Sequence, residues 1–99
     1  MRDYIYDYWN NQGKKYKTDP TASWGDSHCI ALEIEEIANY LKDGASVLDI
    51  GCANGYSAAS QIDKKDIKIT GIDFSEEMID AANTRRSKNS DYMKKLSFE

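Results

Sequence analysis

The sequence predicts an α/β protein, namely the N-terminal part of a doubly wound parallel sheet with about three strands and flanking helices. Three observations predict it. Strand-like apolar runs stand at 47–50 and 67–73, and a further alternating run opens at 96–99. The segments before and between them carry apolar residues at helical spacing, so strands alternate with helices, which implies parallel pairing through right-handed crossovers. The stretch "VLDIGCANGYS", residues 47–57, drives a strand straight into a turn bounded by Gly51 and Gly55. In a doubly wound sheet the ligand sits at that end of the strands.

The elements follow in order. Residues 1–25 are aromatic and polar, with Tyr4, Tyr6, Tyr8, Trp9, Tyr16 and Trp24. The alternation of Tyr4, Tyr6 and Tyr8 suggests a strand, while Asp3, Asp7, Trp9 and Asn10 suit a short helix equally. The cluster from Tyr4 to Trp9 reads as a hydrophobic anchor or an interface. Residues 14–23, around Pro20, read as a loop. A helix is expected over 27–42, where Ile30, Ile34, Ile37 and Leu41 share one face with Ala38 beside them, and Leu32 breaks the pattern. Asp26 or Ser27 can cap its start, and Gly44 can end it in a left-handed conformation. After the 47–50 strand, a short helix over 55–62 and a charged loop at 63–66 lead to the second strand. Ser75 is the expected N-cap of a helix over 76–88, with Glu76 and Glu77 favouring its positive end. Met78, Ile79 and Ala82 form its apolar face.

Bulk properties narrow the function. The chain has 99 residues, so its core is small, and its net charge is −4. That balance argues against a nucleic-acid partner, which calls for a basic face. The cluster of Arg85, Arg86 and Lys88 reads as a solvated helix face. Cys29 and Cys52 form no CxxC pair, and His28 is the single histidine, so no zinc-ligand spacing exists and no metal is expected. The two cysteines read as free thiols of a reducing compartment, and a cytoplasmic protein is expected. No run reaches the roughly 18 apolar residues of a membrane span.

The glycine turn carries the chemistry. Glycines let backbone approach a ligand, and the next helix points free amides at the same crevice. A dinucleotide fingerprint would put small residues where Ala53 and Tyr56 stand, and Tyr56 is too large for it. No Lys-Ser/Thr pair follows, so this is no P-loop. Asp49, two residues before Gly51, would repel a pyrophosphate and suits a ligand bearing an ammonium or a sulfonium. Its bland alternative is to cap the turn by accepting from backbone amides. Asp73 ends the second strand in "ITGIDFS", where a carboxylate can accept both hydroxyls of a ribose. Phe74 and Met78 offer apolar surface for an adenine, and Ala53 with the backbone of 51–55 can line the opposite end. Cys52 reads as a small residue in a tight turn whose backbone touches the ligand. Gly71 reads as a site of close packing, and His28 as a surface or capping residue.

"VLDIGCANGYS" followed by "ITGIDFSEEMIDAA" resembles the N-terminal half of a class I S-adenosylmethionine-dependent methyltransferase, over residues 44–82. Asp49, Gly51 and Gly55 match the family's D/E-x-G-x-G-x-G motif, with Ala53 in place of the middle glycine. Asp73 matches the acidic residue that binds the cofactor ribose, and Ser75 and Met78 resemble the D-x-S-x-x-M run after it. The resemblance implies a Rossmann-like sheet and S-adenosylmethionine as cofactor. It implies a methyl-transfer function, with a small molecule as the expected acceptor. The cofactor-binding set is then Asp49, Gly51, Cys52, Ala53, Gly55, Asp73, Phe74 and Met78. Trp24 joins it from an N-terminal segment, residues 1–25, that the family often folds over the cofactor as a lid. Residues 26–99 are the N-terminal portion of the methyltransferase domain. Family bases and acceptor contacts lie mostly beyond the fourth strand, so no catalytic residue is named, and the 99 residues alone are expected to be inactive. An NAD-dependent oxidoreductase and a non-catalytic adenosyl-binding module are the alternatives. If the 99 residues are all there is, the first strand has an unpaired edge and self-association is expected.

Overall fold

The computed structural model describes residues 4–22 and 25–99. Helix α1 (Tyr4–Tyr16) leads through a short 3₁₀ turn (Pro20–Ala22) to α2 (Ser27–Ala38). Then come β1 (Ser46–Ile50), α3 (Tyr56–Lys64), β2 (Lys68–Ile72), α4 (Glu76–Arg86), α5 (Ser90–Lys95) and β3 (Leu96–Phe98). The three strands pair in parallel in the order β1-β2-β3, with Asp49 opposite Gly71 and Gly71 opposite Phe98. This is the fold class expected.

One face of the sheet carries the core. Ile69, Leu96 and Phe98 pack there with Ala58, Ala59 and Ile62 of α3 and Ala82 of α4. Gly71 makes the packing possible: a Cβ on it would lie 2.8 Å from both the Cys52 Cβ and the Phe98 ring. On the opposite face Leu48 is 58% and Ile50 75% exposed. The 47–50 run, apolar and strand-like in sequence, therefore has a solvent face. Its period-2 alternation sends Val47 and Asp49 to the covered side, and among the described residues only β2 pairs with it.

The N-terminal segment departs most from expectation. It is a helix, the alternative to a strand that Asp3, Asp7, Trp9 and Asn10 suggested, but 13 residues long, and it runs into what reads as loop by composition. Its inner stripe is Tyr6, Trp9, Asn10, Gly13 and Tyr16, a helical spacing. Gly13 lets it cross α4 closely, since a Cβ there would come within 2.9 Å of the Glu77 Cβ. The Asn10 Oδ1 accepts from the Ser75 hydroxyl (2.5 Å) and from the Glu77 amide (3.3 Å), so α1 completes the N-terminal cap of α4.

Other boundaries shift for local reasons. The Asp26 carboxylate accepts from the His28 and Cys29 amides and caps α2 as expected. The helix stops at Ala38, before the expected Lys42, leaving Ile37 exposed. Gly44 is left-handed but serves the turn into β1, where its amide bonds the Asp66 carbonyl. Helix α5, capped by the Asn89 side chain, is an addition. Arg85 and Arg86 are half-buried and donate to backbone carbonyls, which corrects their reading as a solvated face; only Lys88 of that cluster is exposed. No described helix is long and apolar enough to cross a membrane.

Candidate functional site

The turn after β1 is built almost wholly from backbone. The Gly51 and Cys52 amides both donate to the Ile72 carbonyl, at 2.8 and 2.9 Å, and so fasten the turn to the end of β2. Gly51 has φ +77°, and a Cβ there would meet nothing within 4 Å. Its Cα therefore faces open space at the strand ends. Ala53 holds φ +49°, a left-handed conformation that costs a side-chain residue about 1–2 kcal/mol. Gly55, at φ +76°, begins α3 with no side-chain cap, and a Cβ there would strike the Phe98 ring at 2.7 Å.

Asp73 offsets the strain at Ala53. One carboxylate oxygen accepts the Ala53 amide and the other accepts the Ser75 amide, both at 2.9 Å. The side chain thus joins the loops that follow β1 and β2. Each oxygen retains a second lone pair directed elsewhere. The part of turn-capping carboxylate, offered for Asp49 as its bland alternative, belongs to Asp73. Among the described residues nothing donates a hydrogen bond to Asp49. Its half-buried carboxyl has its pKa raised above the usual range, first by burial and then by the negative charge of Asp73.

These groups border a cleft of about 630 Å³ lined by Trp9, Ile50, Gly51, Ala53, Ile72, Asp73, Phe74 and Met78. That volume lies within the usual range for small-ligand sites, about 300–1,000 Å³. A second groove runs on the other side of the turn, sharing Ile50, Gly51 and Ala53 with the cleft and holding Asp49. The turn is thus a ridge with one carboxylate on each flank. The walls of the cleft are apolar. Phe74 is 55% exposed and meets Tyr6 edge-on at 5.7 Å between ring centres.

The structure brings Gly51, Ala53, Asp73, Phe74 and Met78 to one cleft and places Asp49 beside it. Cys52 is buried against Gly71, and burial together with Asp49 and Asp73 pushes its thiol up to about 12, so it presents no thiolate. Gly55 sits beneath the turn on Phe98. Trp24 lies outside the described residues. His28 is exposed on α2. Trp9 is the cleft residue that sequence reasoning assigned elsewhere. The spacing of Tyr6, Trp9, Asn10 and Gly13 was the signal that could have found it.

Comparison with known proteins gives a family. The family described as "Methyltransferase domain" matches residues 41–99. A 27-O-demethylrifamycin SV methyltransferase from Amycolatopsis mediterranei is 42% identical over 48 residues, which is 48% of this chain and 18% of that protein. A solved S-adenosylmethionine-dependent methyltransferase from Thiobacillus denitrificans, in complex with S-adenosyl-L-homocysteine, is 27% identical with a TM-score of 0.59. The match covers 75% of this chain and 29% of that one. Phosphoethanolamine N-methyltransferase 2 of Haemonchus contortus, in complex with S-adenosyl-L-methionine, is 26% identical with a TM-score of 0.60, over 75% of this chain and 16% of that one. The chain spans less than a third of the length of each of these three relatives.

Proposed function

The chain belongs to the methyltransferase-domain family, and from that membership we propose that it supplies the S-adenosylmethionine-binding half of an enzyme that methylates a small-molecule acceptor. The relatives named for 27-O-demethylrifamycin SV and for phosphoethanolamine support an acceptor of that size.

The observation that carries the reading is the pair of carboxylates on either flank of an open glycine turn. When bound, the cofactor would supply an electrophilic methyl on a sulfonium. The residues of this chain bind and orient it. Asp73, held rigid by two amides, offers its remaining lone pairs to the ribose hydroxyls. Gly51 admits the ligand against bare backbone, with Cys52 contributing through its main chain. Phe74 and Met78 provide flat apolar surface for the adenine. Ala53 and Gly55 set the curvature of the turn. Asp49, to whose carboxylate no described residue donates, receives the positive end. A pyrophosphate would meet that same charge, which disfavours a nicotinamide dinucleotide.

Helix α1 fits the part of a lid, because Trp9 closes one wall of the cleft; Trp24 is assigned to the same segment. Placement and exclusion of water are what such a lid contributes to a methyl transfer. No residue is assigned as a base. The β1 edge, unpaired among the described residues, and the bare face with Leu48 and Ile50 support self-association of the 99-residue chain.

Thermal unfolding with and without ligand tests the reading. S-adenosylhomocysteine at about 100 times its dissociation constant stabilises the folded chain by about 2.7 kcal/mol. NAD leaves the transition where it was. Stabilisation by NAD and none by S-adenosylhomocysteine overturns the assignment.

A further inference from the structure

Three consecutive carbonyls, those of Lys17, Thr18 and Asp19, turn toward the back of the glycine loop. The Asn54 amide nitrogen donates to Lys17 O at 2.8 Å and to Asp19 O at 2.7 Å. Arg85, from α4, donates to Thr18 O and, through Nε, to the Asn54 carbonyl at 3.1 Å. The Asn54 Oδ1 accepts the Tyr56 amide at 3.3 Å. Asn54 is 2% exposed, and the Arg85 guanidinium lies 5.3 Å from the centre of the Tyr56 ring. Lys17 itself is left-handed, at φ +50°.

A surface turn could leave those carbonyls to water. Here a buried amide donates to two of them, across 35 and 37 residues of sequence, while its oxygen accepts the Tyr56 amide within the loop. The loop from Gly51 to Gly55 is therefore gripped from two sides. Asp73 holds Ala53 from the cleft, and the turn after α1 holds Asn54 from behind. Helix α1, which ends at that turn, carries Trp9 into the same cleft. We infer that Asn54 and Arg85 are positioning residues that couple the docking of α1 to the shape of the cofactor loop, so that ligand binding and closure of the N-terminal helix favour one another. Neither side chain lines the cleft, and both act through the loop and the helix. The ligand half of this inference rests on the function proposed above; the mechanical half does not.

The two halves are tested together in the 99-residue chain labelled with 5-fluorotryptophan. It has two tryptophans, so the Trp9 resonance is identified by its loss in Trp9→Phe. Without ligand, Asn54→Ala and the charge-retaining Arg85→Lys both shift the Trp9 fluorine signal toward its position in the unfolded chain. Arg85→Lys keeps the inference testable where Asn54→Ala does not fold, because lysine keeps the charge and loses the fork. With S-adenosylhomocysteine, each variant binds about tenfold more weakly. In a Trp9→Ala background the further loss from Arg85→Lys is much smaller, because the helix through which it acts has already lost its contact. A Trp9 signal unmoved in the folded variants overturns the inference, and so do fully additive losses. If the fluorine signals move while the parent chain binds no S-adenosylhomocysteine, the mechanical coupling stands and the proposed function fails.

Discussion

Asp49 and Asp73 stand at the ends of neighbouring strands, yet their carboxylates keep different company. Asp73 accepts from two amides, and Asp73→Ala removes both bonds together with the acceptor proposed for the ribose. Charge-accepting bonds of this kind are worth about 1.5–3 kcal/mol each. The variant is expected to melt earlier and to bind S-adenosylhomocysteine at least about tenfold more weakly by calorimetry. Asp49 behaves in the opposite sense. Its folded pKa is raised, so the folded chain holds that proton more tightly than the unfolded chain does. Its contribution to stability is full below the unfolded value of about 3.9 and is lost as pH rises through the folded value. Ionised Asp49 therefore works against folding near neutral pH. Asp49→Asn is expected to melt higher at pH 7, with the gain shrinking toward pH ~4, and to bind the cofactor less well. A lower melting temperature at pH 7 would show that the carboxylate has a partner within the protein. At this scale the sequence was informative about identity and less so about role. Its spacing from Gly51 singled out Asp49, and its place at the end of the second strand singled out Asp73. Which of them secures the turn depends on the left-handed backbone at Ala53, and alanine gives no sign of that conformation.

Elements were legible wherever a local signal agreed with packing. Asp26 and Ser75 are capping side chains with visible runs behind them, and both cap as expected. Helix α1 was obscure because Tyr4, Tyr6 and Tyr8 imitate a strand, and its length is decided by contact with α4 at Asn10 and Gly13. The early end of α2 has a similar origin, since the residues after Ala38 turn back toward β1. Gly71 shows how tightly the elements meet. Gly71→Ala is expected to cost about 1–3 kcal/mol, by pushing Cys52 and Phe98 apart in the middle of the sheet. Urea unfolding measures it, and a loss below about 0.5 kcal/mol would mean that the contact yields freely.

The molecule as a whole presents a sheet finished on one side. Its covered face holds the core, while among the described residues the outer edge of β1 has no partner strand and the face with Leu48 and Ile50 stays open. Light scattering of the 99-residue chain is expected to show species larger than a monomer, and Ile50→Lys to reduce them, because a charge on an edge strand opposes pairing. A monodisperse monomer at high concentration would contradict this. The half-sheet with its ligand end was readable from the alternation of strands and helices. The enclosure of that end by Trp9 was not, because it joins residues some 40 positions or more from the glycine turn. The central claim is that this chain already forms a selective adenosyl half-site. Calorimetric titration of the 99-residue chain with S-adenosylhomocysteine, beside an identical titration with NAD, tests it most directly. Saturable heat with S-adenosylhomocysteine alone, abolished in Asp73→Ala, is the result predicted. Silence with S-adenosylhomocysteine, or equal binding of NAD, would contradict it.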